Sequence, residues 1–179
     1  LDIWGVIHDG QSTYPGVVEC MKNLHTLGKK IIFLSNAPRR ASKVKKVLAK
    51  FGITENLYHD AVSSGEAAFQ YFKTQKTPGK NYLYIGPPKD ADLLDGLDYQ
   101  AVSDAKNAKF AFATGFDEDD STLEEKLPQI KAALAQKLKL YCVNPDLIVV
   151  RQDGTKMLCA GVIGNYYKEQ GREVEFIGK

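Results

Sequence analysis

Short apolar runs, too brief for helices, alternate along this chain with segments whose apolar residues recur at helical spacing, and that alternation leaves few folds open. "YPGVVECMKNLHTLGKK" carries Val17, Met21, Leu24 and Leu27 at helical spacing, with Pro15 near its start and Gly28 at the expected C-terminal cap. It leads into "KIIFLSNAPRR", whose run Ile31 to Leu34 reads as a strand buried on both faces. "RASKVKKVLAKFGI" then places Val44, Val47, Leu48 and Phe51 on one helical face and lysines on the other, with Gly52 as the stop. A "DAVSS" strand and a helix from about Gly65 to Phe72 follow. The opening "LDIWGVIHDG" is itself strand-like. This order predicts an α/β fold with a parallel sheet and helices on both faces.

"TQKTPGKN", residues 74–81, has the composition of a linker, and a second alternation starts beyond it. "NYLYIG" and "KFAFAT" read as strands around "DADLLDGL", a short helix or turn. A helix is expected from Ser121 to about Lys137, with Ser121 and Glu124 as a capping box and Pro128 as a kink. "LKLYCVN" and "LIVVRQDGTKML" add strands, the second turning at Asp153-Gly154, and "GVIGNYYKEQGREVEFIGK" reads as helix, Gly171 stop and strand.

Composition narrows the partners. No apolar run approaches the roughly 18 residues of a membrane span, and a formal net charge of +2 is too mild to mark a nucleic-acid or membrane-surface protein. Cys20, Cys142 and Cys159 are odd in number and lack metal-ligand spacing, which predicts a reducing, cytoplasmic setting. His8, His25 and His59 also lack ligand spacing, and "DEDD" at 117–120 reads as an acidic turn before a helix.

In an open parallel sheet, ligands gather at the carboxyl ends of the strands. Asp2, Ser35 and Lys179 fall at such ends. A carboxylate there can attack phosphorus, a hydroxyl can donate to a phosphoryl oxygen, and an ammonium can neutralise charge building on the phosphoryl group. "DIWGV", "FLSNAPR" and "FIGK", in that order, with "VNPD" at 143–146, resemble the motifs of the haloacid dehalogenase superfamily, class IIA. The "DxWGVxHDG" form is similar to an uncharacterised subgroup of it. The resemblance implies a Rossmann-like core, residues 1–76 and 157–179, with an α/β cap inserted at 77–156. It also implies hydrolysis of a small phosphorylated metabolite through an aspartyl phosphate on Asp2. Ser35 and Asn36 would bind the phosphoryl group, Lys179 would be the motif lysine, and Asn144 and Asp146 would line the cap side of the cleft. Mg²⁺ would be held by Asp2 and the main-chain carbonyl of Trp4.

Two departures from the family pattern carry expectations. The acid that usually protonates the leaving group is replaced by Trp4, a donor without a usable acid pKa. The fourth motif, whose acids complete the Mg²⁺ site, is expected beyond Lys179, so the metal site is expected to be incomplete in this chain. Plainer roles stand beside these. Trp4 packs beside the sheet or stacks on a substrate ring, Asp9 forms an Asp-Gly turn, and Asn144-Pro145-Asp146 is a turn that needs no ligand. A phospho-ligand-binding protein without turnover is the competing function.

Overall fold

The computed structural model describes residues 1–74 and 79–179; residues 75–78, within the expected linker and at the expected boundary between core and cap, lie outside the described residues. Helix α1 (Val17–Thr26) and strand β1 (Ile32–Ser35) follow the predicted order, with Gly28 at φ 66 just past the helix end. Helix α2 (Ala41–Lys50) buries Val44 and Leu48 and leads to strand β2 (Asp60–Ser63), which pairs in parallel with β1.

Phe33 of β1 and Ala61 of β2 point into a core with Met21, Val44, Leu48 and Ile53, so α1 and α2 cover one face of this pair. The other face is open. Ile32, Leu34 and Val62 are 53%, 45% and 40% exposed, which corrects the reading of Ile31–Leu34 as buried on both faces. A four-residue run has the same composition whether one face or two are covered.

The opening stretch is also less extended than expected. Leu1 pairs with β1 like a strand residue, its backbone nitrogen donating to Ile32 O at 2.8 Å and its carbonyl accepting from Leu34 N at 2.8 Å. After Asp2 the chain coils, with Ile7 N donating to Ile3 O and Gly5 at φ 76 reversing it. Ile3 and Ile7 thereby enter the core while Asp2 stays at the surface end.

Helix α3 (Ser64–Thr74) reaches the second alternation: β3 (Asn81–Ile85), a 3₁₀ segment (Pro88–Leu94), β4 (Gln100–Val102) and β5 (Phe110–Ala113). Helix α4 (Leu123–Ala135), β6 (Lys139–Val143), β7 (Ile148–Val150), β8 (Lys156–Leu158), α5 (Ala160–Glu169) and β9 (Val174–Ile177) complete it. Five strands form a parallel sheet in the order β4-β3-β5-β6-β9. Strand β9 is hydrogen-bonded along β6 at the edge of this sheet. Its neighbour is chosen by pairing, which a strand-like pattern does not encode.

This sheet is buried on both faces, and β5 shows how. Phe110 and Phe112 join an aromatic cluster with Phe72, Tyr82 and Tyr141, while Ala111 and Ala113 lie under α4 and α5. Each aromatic pair, such as Phe72–Phe110 at 5.1 Å, adds about 0.5–1.5 kcal/mol beyond its buried area. Helix α4 runs through Pro128 without restarting and has Thr122 at its N-cap with no side-chain cap bond, so the expected Ser121–Glu124 capping box is not formed. The Ser121 hydroxyl is used upstream, accepting from Glu118 N at 3.0 Å.

Strands β7 and β8 form an antiparallel hairpin that pairs with no other strand among the described residues. Among those residues no helix is long and apolar enough to cross a membrane.

Candidate active site

Asp2 sits where the strand-like residue Leu1 gives way to the coil, and Ser35 ends β1 beside it, so both approach from the same end of the small sheet. Lys179 arrives from the opposite end of the chain, just past β9, and its Nζ pairs with Asp2 Oδ2. The other Asp2 oxygen accepts from Ile3 N at 2.7 Å. Asn36 fixes this approach. Its Oδ1 accepts from Lys179 N at 2.9 Å, and its Nδ2 donates to Asp146 Oδ1 at 2.8 Å. Asn144 in turn accepts from Asp146 N at 3.0 Å, so the turn at 144–146 is tied back to the β1 end.

Two glycines permit the close contacts. A side-chain carbon at Gly178 would lie 2.7 Å from Asn36 Oδ1, and one at Gly161 would lie 2.2 Å from Pro145 O. Ser35, 7% exposed, accepts from Ala37 N at 3.2 Å through its hydroxyl oxygen.

Asp2, Trp4, Ser35, Asn36, Asn144 and Asp146 line one cavity of about 470 Å³. The structure thus brings together the residues expected at the site, Lys179 through its bond to Asp2. The far wall comes from the second alternation, including Phe116, Ile148, Met157 and Leu158. Arg39, from the "SNAPRR" stretch, donates through Nε to the buried carboxylate of Asp90 at 2.8 Å and joins the two walls. The carboxylate is buried but the guanidinium is about a third exposed, so the pair joins the two walls while Asp90 keeps a partner for its charge.

A family model described as haloacid dehalogenase-like hydrolase matches residues 1–100, the segment that carries Asp2 and Ser35. The chain belongs to this family. It is 28% identical over 166 residues to the sugar-phosphatase AraL of Bacillus subtilis (strain 168), covering 92% of this chain and 59% of that protein. A haloacid dehalogenase-like hydrolase from Brucella suis 1330 superposes with a TM-score of 0.89 at 26% identity, over 99% of this chain and 64% of that one. A p-nitrophenyl phosphatase from Archaeoglobus fulgidus gives 0.71 at 26% identity, over 98% and 65%. The chain therefore spans less than two thirds of the length of these relatives.

Against that family background, the surroundings of Asp2 have three features that the sequence reading did not contain. Trp4 Nε1 donates to Val150 O at 3.1 Å, across 146 residues of chain. Asp9 is buried, not free; its Oδ1 accepts from Gln11 N and Ser12 N, and its Oδ2 accepts from Gln152 N at 3.2 Å. The acidic run is tied up in ion pairs, Asp117 with Lys126 at 2.6 Å and Asp119 with Arg151 at 2.7 Å. The backbone amides of Ser12, Gln11 and Gln152 hold the Asp9 carboxyl down to about 2. It is ionised throughout the neutral range and serves as an anchor, with no proton to give.

Because its folded value lies below the ordinary 3.8, the stabilisation from Asp9 is complete above about pH 4 and is lost as pH falls through about 2. Asp9→Asn should therefore lower the thermal midpoint at pH 6 and flatten its decline between pH 4 and pH 2. Parallel acid profiles of the two proteins would reject the anchor.

Other reactive groups are silent. His8 is buried and accepts from Gly10 N through Nδ1 at 3.0 Å; burial lowers its pKa and favours the neutral ring. Burial pushes the Cys142 thiol up to about 12 and that of Cys159 to about 11, so neither is a thiolate nucleophile.

For a cation, the Asp2 carboxylate and the Trp4 carbonyl are hard oxygen donors. Among the described residues no group of three His, Cys, Asp or Glu side chains gathers. Mg²⁺ suits such a sparse set, since it commonly binds through one or two carboxylates with water and substrate phosphate filling the rest.

Proposed function

We propose that this chain carries the catalytic end of a phosphatase that hydrolyses a small phosphorylated metabolite through an aspartyl phosphate on Asp2. One observation supports this above the rest: Asp2, Lys179 and Ser35 meet at one end of the cavity although they are separated by most of the chain. An Asp2 oxygen attacks phosphorus, an O–P bond forms, and the bond to the leaving oxygen breaks with its electron pair going to the leaving group. Lys179 orients the carboxylate before attack and balances charge on the phosphoryl oxygens, while the Ser35 hydroxyl donates to one of them. Asn36 acts through Lys179, because both ends of its amide are already bonded. Mg²⁺ held by the Asp2 carboxylate and the Trp4 main-chain carbonyl would supply further neutralisation of phosphoryl charge.

The lining fits this: polar groups at 2, 35, 36 and 146 would receive the phosphoryl group, and Trp4, Phe116, Ile148 and Met157, beside the charged Lys89 and Glu118, would meet the rest of the substrate. The division into a core of residues 1–76 and 157–179, with a substrate-facing insertion at 77–156, is part of the same proposal. Acid quenching during turnover of p-nitrophenyl phosphate, followed by peptide mass analysis, should find one phosphoryl group on the peptide that contains Asp2. Phosphate release with the label on another residue would overturn the mechanism.

A second reading, ligand binding without turnover, draws on Trp4. Its N–H is committed to Val150 O and cannot serve a leaving group. Thermal stabilisation by a phosphate ester, without phosphate release, would select that reading.

A further inference from the structure

We propose that Trp4 is a positioning residue whose indole pins the β7–β8 hairpin over the Asp2 end of the cavity. A two-stranded ribbon is at best marginally stable by itself, and this one has no further strand partner among the described residues. Yet it supplies Ile148, Val150, Met157 and Leu158 to the cavity wall. Its base is held by Leu158 against the main core and by Cys159 N donating to Leu147 O, and at its turn three bonds reach the stretch that follows Asp2. Trp4 Nε1 donates to Val150 O at 3.1 Å, Gln152 N donates to Asp9 Oδ2 at 3.2 Å, and Gln152 Nε2 donates to Ser12 Oγ at 3.2 Å. The Arg151–Asp119 pair at 2.7 Å holds the other side.

The indole has a prepared seat. Gly10, at φ +92, lies so close that a side-chain carbon there would come within 2.8 and 2.9 Å of two ring carbons. His8 meets the ring edge-on at 6.0 Å. The chemistry of the bond is also selective. An indole N–H is donor-only and matches a strand carbonyl, whereas a carboxylate in this place is acceptor-only at neutral pH and cannot make this bond. The residue two positions from Asp2 therefore exchanges a proton-donating role for a fastening one, and the roof of the site is tied to the loop that bears its nucleophile.

Hydrogen exchange tests the pin without any turnover. Trp4→Phe keeps a ring and removes the donor, and amides within 148–158 should exchange about three- to tenfold faster, while those of β5 stay unchanged. Unchanged exchange in the hairpin, or an equal rise in β5, overturns the proposal. Gly10→Ala is the second variant. Trp4 is the single tryptophan of the chain, so displacement of its ring should shift the emission to longer wavelength and speed the same amides. An unshifted spectrum with protected amides overturns the seat.

A kinetic arm rests on the phosphatase reading. With p-nitrophenyl phosphate, Trp4→Phe should raise KM by a larger factor than it lowers kcat, and a fall in kcat alone overturns the positioning role. Absence of turnover in the unmodified chain counts against the phosphatase reading, and the exchange result then decides the pin by itself.

Discussion

Asp2→Asn is expected to lower phosphate release from any substrate by about 10⁴-fold or more, the scale on which loss of a covalent nucleophile is felt when the supporting groups act as a unit. The amide is nearly the same size and still accepts from Ile3 N through its oxygen, so the local coil persists. It is a poor nucleophile and offers Lys179 no charge. The cost to folding is small. The two side chains are 33% and 39% exposed, and an exposed pair contributes about 0–1 kcal/mol. Steady-state phosphate release and a thermal melt on the same preparations check both halves. Retained turnover rejects Asp2 as nucleophile, and a collapsed melting transition assigns it a structural role.

Leaving-group dependence should be nearly as large. With the Trp4 N–H bonded to Val150 O and Asp9 held ionised by three backbone amides, neither group can protonate a departing alkoxide. General-acid assistance typically contributes about 10²- to 10⁴-fold. An alkyl phosphate should therefore turn over slower than p-nitrophenyl phosphate by about that factor at saturation, because nitrophenolate leaves without a proton. The comparison needs the chemical step to limit both rates, which a leaving-group series of substituted phenyl phosphates establishes. Equal rates for the alkyl and nitrophenyl esters in that regime would show that another acid serves the site.

The legible part of this molecule is the part that local patterning controls. Helix α2 follows from Val44 and Leu48 facing in with lysines facing out, and each predicted strand of the second alternation is present. The neighbourhood of Asp2 and Ser35 was legible for a related reason: strand ends of one parallel sheet converge. The illegible part is long-range. Whether Ile32 and Leu34 are covered depends on where helices lie, and the partner of β9 depends on which edge is available. Ser121 carried the pattern of a cap, but its hydroxyl found Glu118 N.

The opening segment draws the same line. The sequence by itself determined a carboxylate at a strand end, a hydroxyl at the next, a lysine at the last, and a tryptophan where an acid was expected. These are questions of residue type and spacing, set by side-chain chemistry and by the periods of helix and strand. Only the tertiary structure decided that Asn36 holds Lys179 in place, that Asp9 is an anchor, and that Trp4 reaches Val150. Those bonds join residues more than 140 positions apart, and no local period records them. They exist because the packed elements bring these polar groups within reach of one another.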